Sequence, residues 1–545
     1  MPVVKRPTPF RLASYTSLDS LLTRKEQNAS NAALNDFIQH ASTVTLGSSA
    51  NLDLDDIEAA RPVLTTGNGQ SRFRSLLVEV CFVFSMAMTQ FLTEYSTFGF
   101  GIILPALEQH GLISDTVSAL WPTSVLTLIV SAFTLPFSRL SDMYGGYPFF
   151  ICGLLWLALW SLIGSFSKNE IMLNVARAMQ GLAIAAFQPA SFSLIGSSYK
   201  ESRRKNIVFG IYGACAPVGS YFGMFVSGLA VKSDHWNWYF WTAAAIAFIS
   251  AVFAYLSVPM EPPERHALNL KMDWYGAGTV VTGLMLVAYA LSASSHADKG
   301  WASPGVLAPF SIGVLSLIAA VVVEWKFAAC PLMPAEFFKP KGLKPMMLML
   351  LLWWGCFGLT LFYATFYMEQ VIHIPALQMA IWFLPMAIFG VVMATVGGIV
   401  MSLIPFPYLL SLAGAGWIIA PLLLSFVPSD SSSKSYWAFI FPALLALTLG
   451  SDLTYTVSNI FMTNVQPLQY QGLAGAFASV LVNLGVSVSI SLADILSSAV
   501  EVKNKPMVAI RVVFWFAAGL SAAGLILCVL FVRIPKPTSH LTPDE

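Results

Sequence analysis

Residues 173–190 read LNVARAMQGLAIAAFQPA, an apolar run that would pass for an ordinary membrane helix were it not for Arg177. The run extends from 171 to 197. That exceeds the roughly 20 residues a helix needs to cross a hydrocarbon core of about 30 Å. Working outward, similar stretches lie at 76–106, 117–139, 147–166, 206–231, 237–258, 273–293, 304–325, 344–369, 376–403, 406–427, 436–462, 473–499 and 508–532. Lipid offers backbone groups no hydrogen-bond partner, so each stretch has to satisfy its own as a helix. The predicted fold is an all-α membrane protein with 14 transmembrane helices. Composition agrees: 56% of the 545 residues are hydrophobic and 10% charged, against about 25% charged in an average soluble domain. Mean hydropathy is +0.70.

The net charge of +1 and the lack of a basic stripe argue against a nucleic-acid partner. No GxxxxGK[ST] loop, Gly-rich cofactor turn or histidine cluster is present, so no cofactor, metal or enzymatic chemistry is expected. The six cysteines have no metal-site spacing, and five lie inside apolar runs, where cysteine acts as a small hydrophobe. The expected partners are the lipid bilayer, a small-molecule substrate and, as the source of energy, an ion gradient.

Residues 1–74 are polar, rich in Ser, Thr and Asn, and read as a disordered cytoplasmic tail. With an even number of spans, both termini lie on one side. Placing them inside puts Lys200, Arg203, Arg204, Lys205, Arg265, Lys271, Lys339, Lys341 and others in cytoplasmic loops, a bias of about two to one. The sequon at Asn28 then faces the cytoplasm and carries no glycan. Two longer polar segments bracket spans seven and eight. The expected partition is a six-helix bundle at 75–258, a linker with two inserted spans at 259–343, a second six-helix bundle at 344–533 and a cytoplasmic tail at 534–545.

A charged side chain at mid-bilayer costs about 2.5–3.5 kcal/mol on insertion scales, and so faces a cavity or a partner. For Arg177 two readings are open: it ties helices together by hydrogen bonds, or its charge tunes a nearby carboxylate that carries protons. The carboxylates within spans are Glu94, Asp452 and Asp494; the first two are candidate proton carriers, and Asp494 could instead pair with Arg511. Asp142, in the charged turn FSRLSDMYGGYPFF with Gly145, is a candidate gating residue. Span five, GIYGACAPVGSYFGMFVSG, has small residues at helical spacing; its Pro217 and Gly219 suit a hinge or close packing. Trp121, Gln180, Gln188, Tyr221, Tyr363, Asn459 and Asn483 are candidate substrate-binding residues.

At these residues the chain resembles the major facilitator superfamily, and within it the fourteen-spanner drug:proton antiporters, especially fungal members of the aminotriazole and boron resistance type. The resemblance covers roughly residues 75–533. The loop motif between helices two and three matches at Ser138, Leu140, Asp142 and Gly145, with Met143, Gly146 and Tyr147 at its usually basic positions. The helix-four motif matches as Arg177, Gln180 and Gly181, followed by Pro189, and the helix-five antiporter motif as Ala216, Pro217 and Gly219. Leu104 and Pro105 match the end of the helix-one motif, whose aspartate position is Ser96 here, with Glu94 close by. The resemblance implies two bundles rocking around a midplane site, and a monomeric proton-coupled exporter of small molecules in the plasma membrane rather than the vacuolar one. The degenerate motifs leave two alternatives: a facilitator or importer of a small nutrient or ion such as ammonium or borate, and a non-transporting membrane sensor.

Overall fold

The computed structural model describes residues 73, 75–113, 121–199, 203–259, 271–294, 297, 300–327, 331–428, 435–466, 471–501 and 506–532. The tail expected at 1–74 (apart from Phe73), Asn28, Cys330, the tail at 534–545 and loop cations such as Lys200 and Arg265 lie outside the described residues or largely so.

Among the described residues every regular element is helical. Fourteen helices are long and apolar enough to cross a bilayer: α1 Leu76–Leu104, α2 Trp121–Tyr144, α3 Gly146–Gly164, α4 Glu170–Ser198, α5 Ile207–Lys232, α6 Asn237–Ser257, α7 Trp274–Leu291, α8 Pro304–Phe327, α9 Leu343–Val371, α10 Ala376–Thr395, α11 Phe406–Ser425, α12 Tyr436–Met462, α13 Leu473–Val500 and α14 Met507–Phe531. Polar caps begin several of them. The Ser75 hydroxyl accepts the Val78 N–H at the start of α1, and Asn169 Oδ1 accepts that of Met172 (2.8 Å) at the start of α4. The turn from α2 to α3 passes through Gly145 at φ 90°, a conformation that a side chain would strain.

In the first half, α1 packs against α5 and α6, α4 against α2 and α3, and α3 against α6. The α1–α5 crossing is backbone on backbone. A Cβ on Gly219 would land on the Phe91 carbonyl, one on Gly223 would sit 2.8 Å from Tyr95 O, and the Ser227 hydroxyl donates to Gly99 O (2.7 Å). Small residues here allow the close approach that drives helix pairing in lipid, where no hydrophobic force is available. In the second half, α9 packs against α13 and α14, and α11 against α12 and α14. Two fully buried tryptophans anchor it: Trp353 Nε1 donates to Ser521 O (3.1 Å) and Trp417 Nε1 to Thr454 Oγ1 (2.9 Å).

The halves meet mainly along α2 with α13 and along α5 with α10. α7 wedges against both α2 and α13, and α8 packs on α7. Only 17% of the apolar window of α8 is buried, against 78% for α9. The inserted pair is thus peripheral, and α9 is central.

Candidate functional site

Arg177 is fully buried and serves as a junction. Its Nε donates to Pro122 O of α2 (3.1 Å), Nη2 to Ser96 O of α1 (2.8 Å) and Nη1 to Gln180 Oε1 (3.0 Å). Gln180 Nε2 passes the chain on to Ser161 Oγ of α3 (3.0 Å). The guanidinium also sits 4.2 Å from the centroid of the Phe100 ring. Arg177 ties three helices together and Gln180 adds a fourth, and none of these hydrogen bonds of Arg177 goes to a carboxylate. The geometry therefore favours the helix-tying reading of Arg177 over the carboxylate-tuning one, and it takes Gln180 into the same cluster and out of a substrate-contacting position.

The carboxylates lie elsewhere. Glu94 of α1 and Asp452 of α12, one from each half, line a common cavity of about 100 Å³. Gln90, one turn before Glu94, donates through Nε2 to Glu94 Oε1 (3.0 Å), which leaves Gln90 Oε1 buried without a partner. Asp452 Oδ2 is likewise buried and unpartnered, as is Trp354 Nε1. Orphaned polar atoms are rare in folded proteins because each costs about 1–3 kcal/mol, so three around one cavity mark a place awaiting a ligand. Further wall comes from Gln188 on α4, Pro217 and Ser220 on α5, Tyr455 and Asn459 on α12, and Ser479 and Asn483 on α13.

Pro217 occupies the seam between the halves: a Cβ on Gly390 of α10 would fall 2.6 Å from Pro217 Cβ and 3.5 Å from Asp452 Oδ2. The seam is tight where α5 ends and α10 begins, for a Cβ on Gly228 would lie 3.0 Å from Ala376 O. Nearby, Phe98 of α1 meets Phe357 of α9 edge-on at 5.1 Å. Towards the opposite ends of α5 and α13, Gly213 and Gly475 line the cavity and face open space. One polar link crosses there, Ser479 Oγ donating to Gln188 Oε1 (2.9 Å).

Of the substrate-binding candidates, Gln188, Asn459 and Asn483 are in the cavity wall. Three others are not. Trp121 opens α2 and meets Tyr289 of α7 edge-on at 6.2 Å, Tyr221 stacks on Phe225 of its own helix at 6.2 Å, and the Tyr363 hydroxyl lies 3.4 Å from Ser497 Oγ of α13. Tyr363 is on a helix that is apolar on nearly every side, so the sequence carried no sign of which face turned inward, whereas α2 has a polar stripe at Thr123, Thr127, Ser131 and Thr134. Asp142 is exposed in the last turn of α2, next to Gly145. Asp494 is buried, while Arg511 Nη2 donates to Val427 O (2.9 Å). Sequence reasoning missed Gln90, Trp354, Tyr455 and Ser479; the spacing of Gln90 to Glu94, one helical turn, was the signal available for the first.

Comparison with known proteins places the fold. The Major Facilitator Superfamily profile matches residues 86–490. A low affinity ammonium transporter of Saccharomyces cerevisiae is 30% identical, across 84% of this chain and 90% of that protein. The efflux pump terJ of Aspergillus terreus is 27% identical across 88% and 90%, and the aminotriazole resistance protein of S. cerevisiae 26% identical across 79% and 80%. Among solved structures, the POT family transporter PepTSo superposes with a TM-score of 0.61 at 15% identity, over 84% of this chain and 98% of that one. The chain is a multi-pass membrane transporter of small molecules, and it belongs to the major facilitator superfamily.

Proposed function

We propose that the protein exports small molecules in exchange for protons by alternating access, with Glu94 and Asp452 as the groups that take up and release the proton. The observation that carries this reading is the position of the two carboxylates, one from each half, on one cavity at the seam. A carboxylate that must lose its charge before it can be closed off from water couples protonation to rocking of the halves, because a bare buried charge is expensive. The loop charges support a cytoplasmic position for the open ends of α5 and α13, and with it an inward-facing arrangement suited to loading an exporter. The two six-helix units at 75–258 and 344–533 would rock as bodies, with Pro217 at the seam, Gly219 at the α1–α5 crossing and Asp142 and Gly145 at the α2–α3 turn. The protein acts as a monomer in the plasma membrane, through transport and not catalysis.

The 30% identity to an ammonium transporter supports a second reading, in which the same cavity conducts a small nutrient ion inward. Reconstitution into proteoliposomes with an internal pH dye separates the two. Substrate-evoked proton movement that disappears in Glu94→Gln or Asp452→Asn supports proton-coupled export. Saturable solute flux without proton movement in the wild type defeats it in favour of the facilitator.

A further inference from the structure

We infer that the cavity between Glu94 and Asp452 selects a small protonated amine, ammonium or a primary alkylammonium, by means of its N–H groups. The inference rests on the transport reading for the identity of this cavity as the substrate site, and it adds the chemistry of the ligand.

The argument is a count of donors and acceptors around the wall. Of the seven hydroxyls that line the cavity, one is that of Tyr455, and the six of Ser and Thr direct their protons to the protein: Thr93, Thr97, Thr448, Ser451 and Ser220 to carbonyls of their own helices, Ser479 to Gln188 Oε1. The amides do the same. Gln90 donates to Glu94, Asn459 to Tyr455 O (2.8 Å) and Asn483 to Ser479 O (2.9 Å). An amide NH2 carries a second N–H, so the wall is not devoid of donors, and what discriminates between ligands is its charge and its unmet acceptors. No Lys, Arg or His is among the lining residues, which include two carboxylates. Gln90, only 4% exposed, and Asp452 each hold an acceptor oxygen with no donor to meet it.

The remaining wall is aromatic and aliphatic. Trp354 meets Phe357 edge-on at 5.3 Å and Tyr455 at 6.3 Å, and ring faces attract cations. The Trp354 Nε1, the Tyr455 hydroxyl and amide N–H groups of the wall are donors for a water or for a hydroxyl on the ligand. A carboxylate anion would meet two carboxylates and no cationic side chain among the lining residues. A quaternary ammonium carries the charge but no N–H, so the oxygens of Gln90 and Asp452 would stay unsatisfied on binding. Leaving a buried acceptor unmatched weakens binding by about tenfold or more per group.

The test is equilibrium binding of radiolabelled methylammonium to the full-length protein in nanodiscs, with unlabelled competitors, followed by flux in proteoliposomes. Ammonium should displace the label, and tetramethylammonium should do so at least about tenfold more weakly. Acetate, an anion, should not displace it. Asp452→Asn and Gln90→Leu should each weaken binding by about 10- to 100-fold, and Trp121→Phe, outside the cavity, should leave it unchanged. Two different substitutions guard against a folding defect in either one, and thermal unfolding of each variant checks it directly. Displacement by tetramethylammonium as strong as by ammonium, displacement by acetate, absence of saturable methylammonium binding, or indifference to both variants overturns the inference. Methylammonium binding without flux would sink the transport reading and leave the ligand chemistry standing. Flux of a neutral solute without methylammonium binding would do the reverse.

Discussion

Arg177 and Asp452 are both ionisable groups set into apolar helices, and their surroundings are opposite. Around Arg177, three oxygens from three residues accept hydrogen bonds from the guanidinium, and an aromatic face lies against it. Around Asp452, Oδ2 has no donor. A buried polar group that is satisfied by fixed partners stiffens a fold, while one that is unsatisfied stores a demand that only a proton or a ligand meets. The comparison separates a rivet from a site, two roles that look alike in sequence because each appears as one charged letter in a run of apolar ones.

The comparison is broken most directly at the carboxylates. Asp452→Asn and Glu94→Gln keep the shape of the cavity wall and remove its charge. Coupled transport in proteoliposomes should fall by about 100-fold or more in each, with thermal unfolding in detergent hardly moved. If either variant transports like the wild type, the site is misassigned. Arg177→Ala should show the mirror image: a loss of about 2–4 kcal/mol in stability from the lost ties to Pro122 O, Ser96 O and Gln180, seen as a lower unfolding temperature and poorer recovery of folded protein. Arg177→Lys, with one donor group for three acceptors, should fall between. An Arg177→Ala protein of normal stability that has lost only proton coupling would reverse the two roles. A smaller effect is expected at the α1–α5 crossing, where Gly219→Ala places a methyl against the Phe91 carbonyl. Destabilisation of about 1–3 kcal/mol, with ligand binding retained in the fraction that folds, would sharpen the claim that Gly219 acts by packing.

Much of the fold was legible because membrane spans announce themselves by length. The fourteen apolar runs match fourteen helices, with ends displaced by a few residues, as at the second, expected to end at 139 and found to run on to Tyr144. Glu94 and Asp452 were legible for the same reason, since charge is rare enough in a span to demand an explanation. Facing was not legible. A helix such as α9, buried over most of its length, has no polar side to give its orientation away, so Tyr363 could not be told from Trp354, nine residues earlier, which is in the wall. Nor was the direction of the hydroxyl protons readable. Threonine in a helix may bond its own backbone or a neighbour, and only coordinates reveal that Thr93, Thr97 and Thr448 all turn their donors away from the cavity.

The meeting of Pro217 with Gly390 has a kinetic consequence. Most helix interfaces interlock, and parting them requires side chains to leave their holes one after another. Here a rigid ring with no rotamers lies on bare backbone, so this part of the seam works as a bearing, with no teeth to disengage when the halves tilt. Gly390→Val would add a tooth. Turnover should then slow and grow more temperature-dependent while ligand affinity holds, and an unchanged turnover would show that the halves pivot somewhere else.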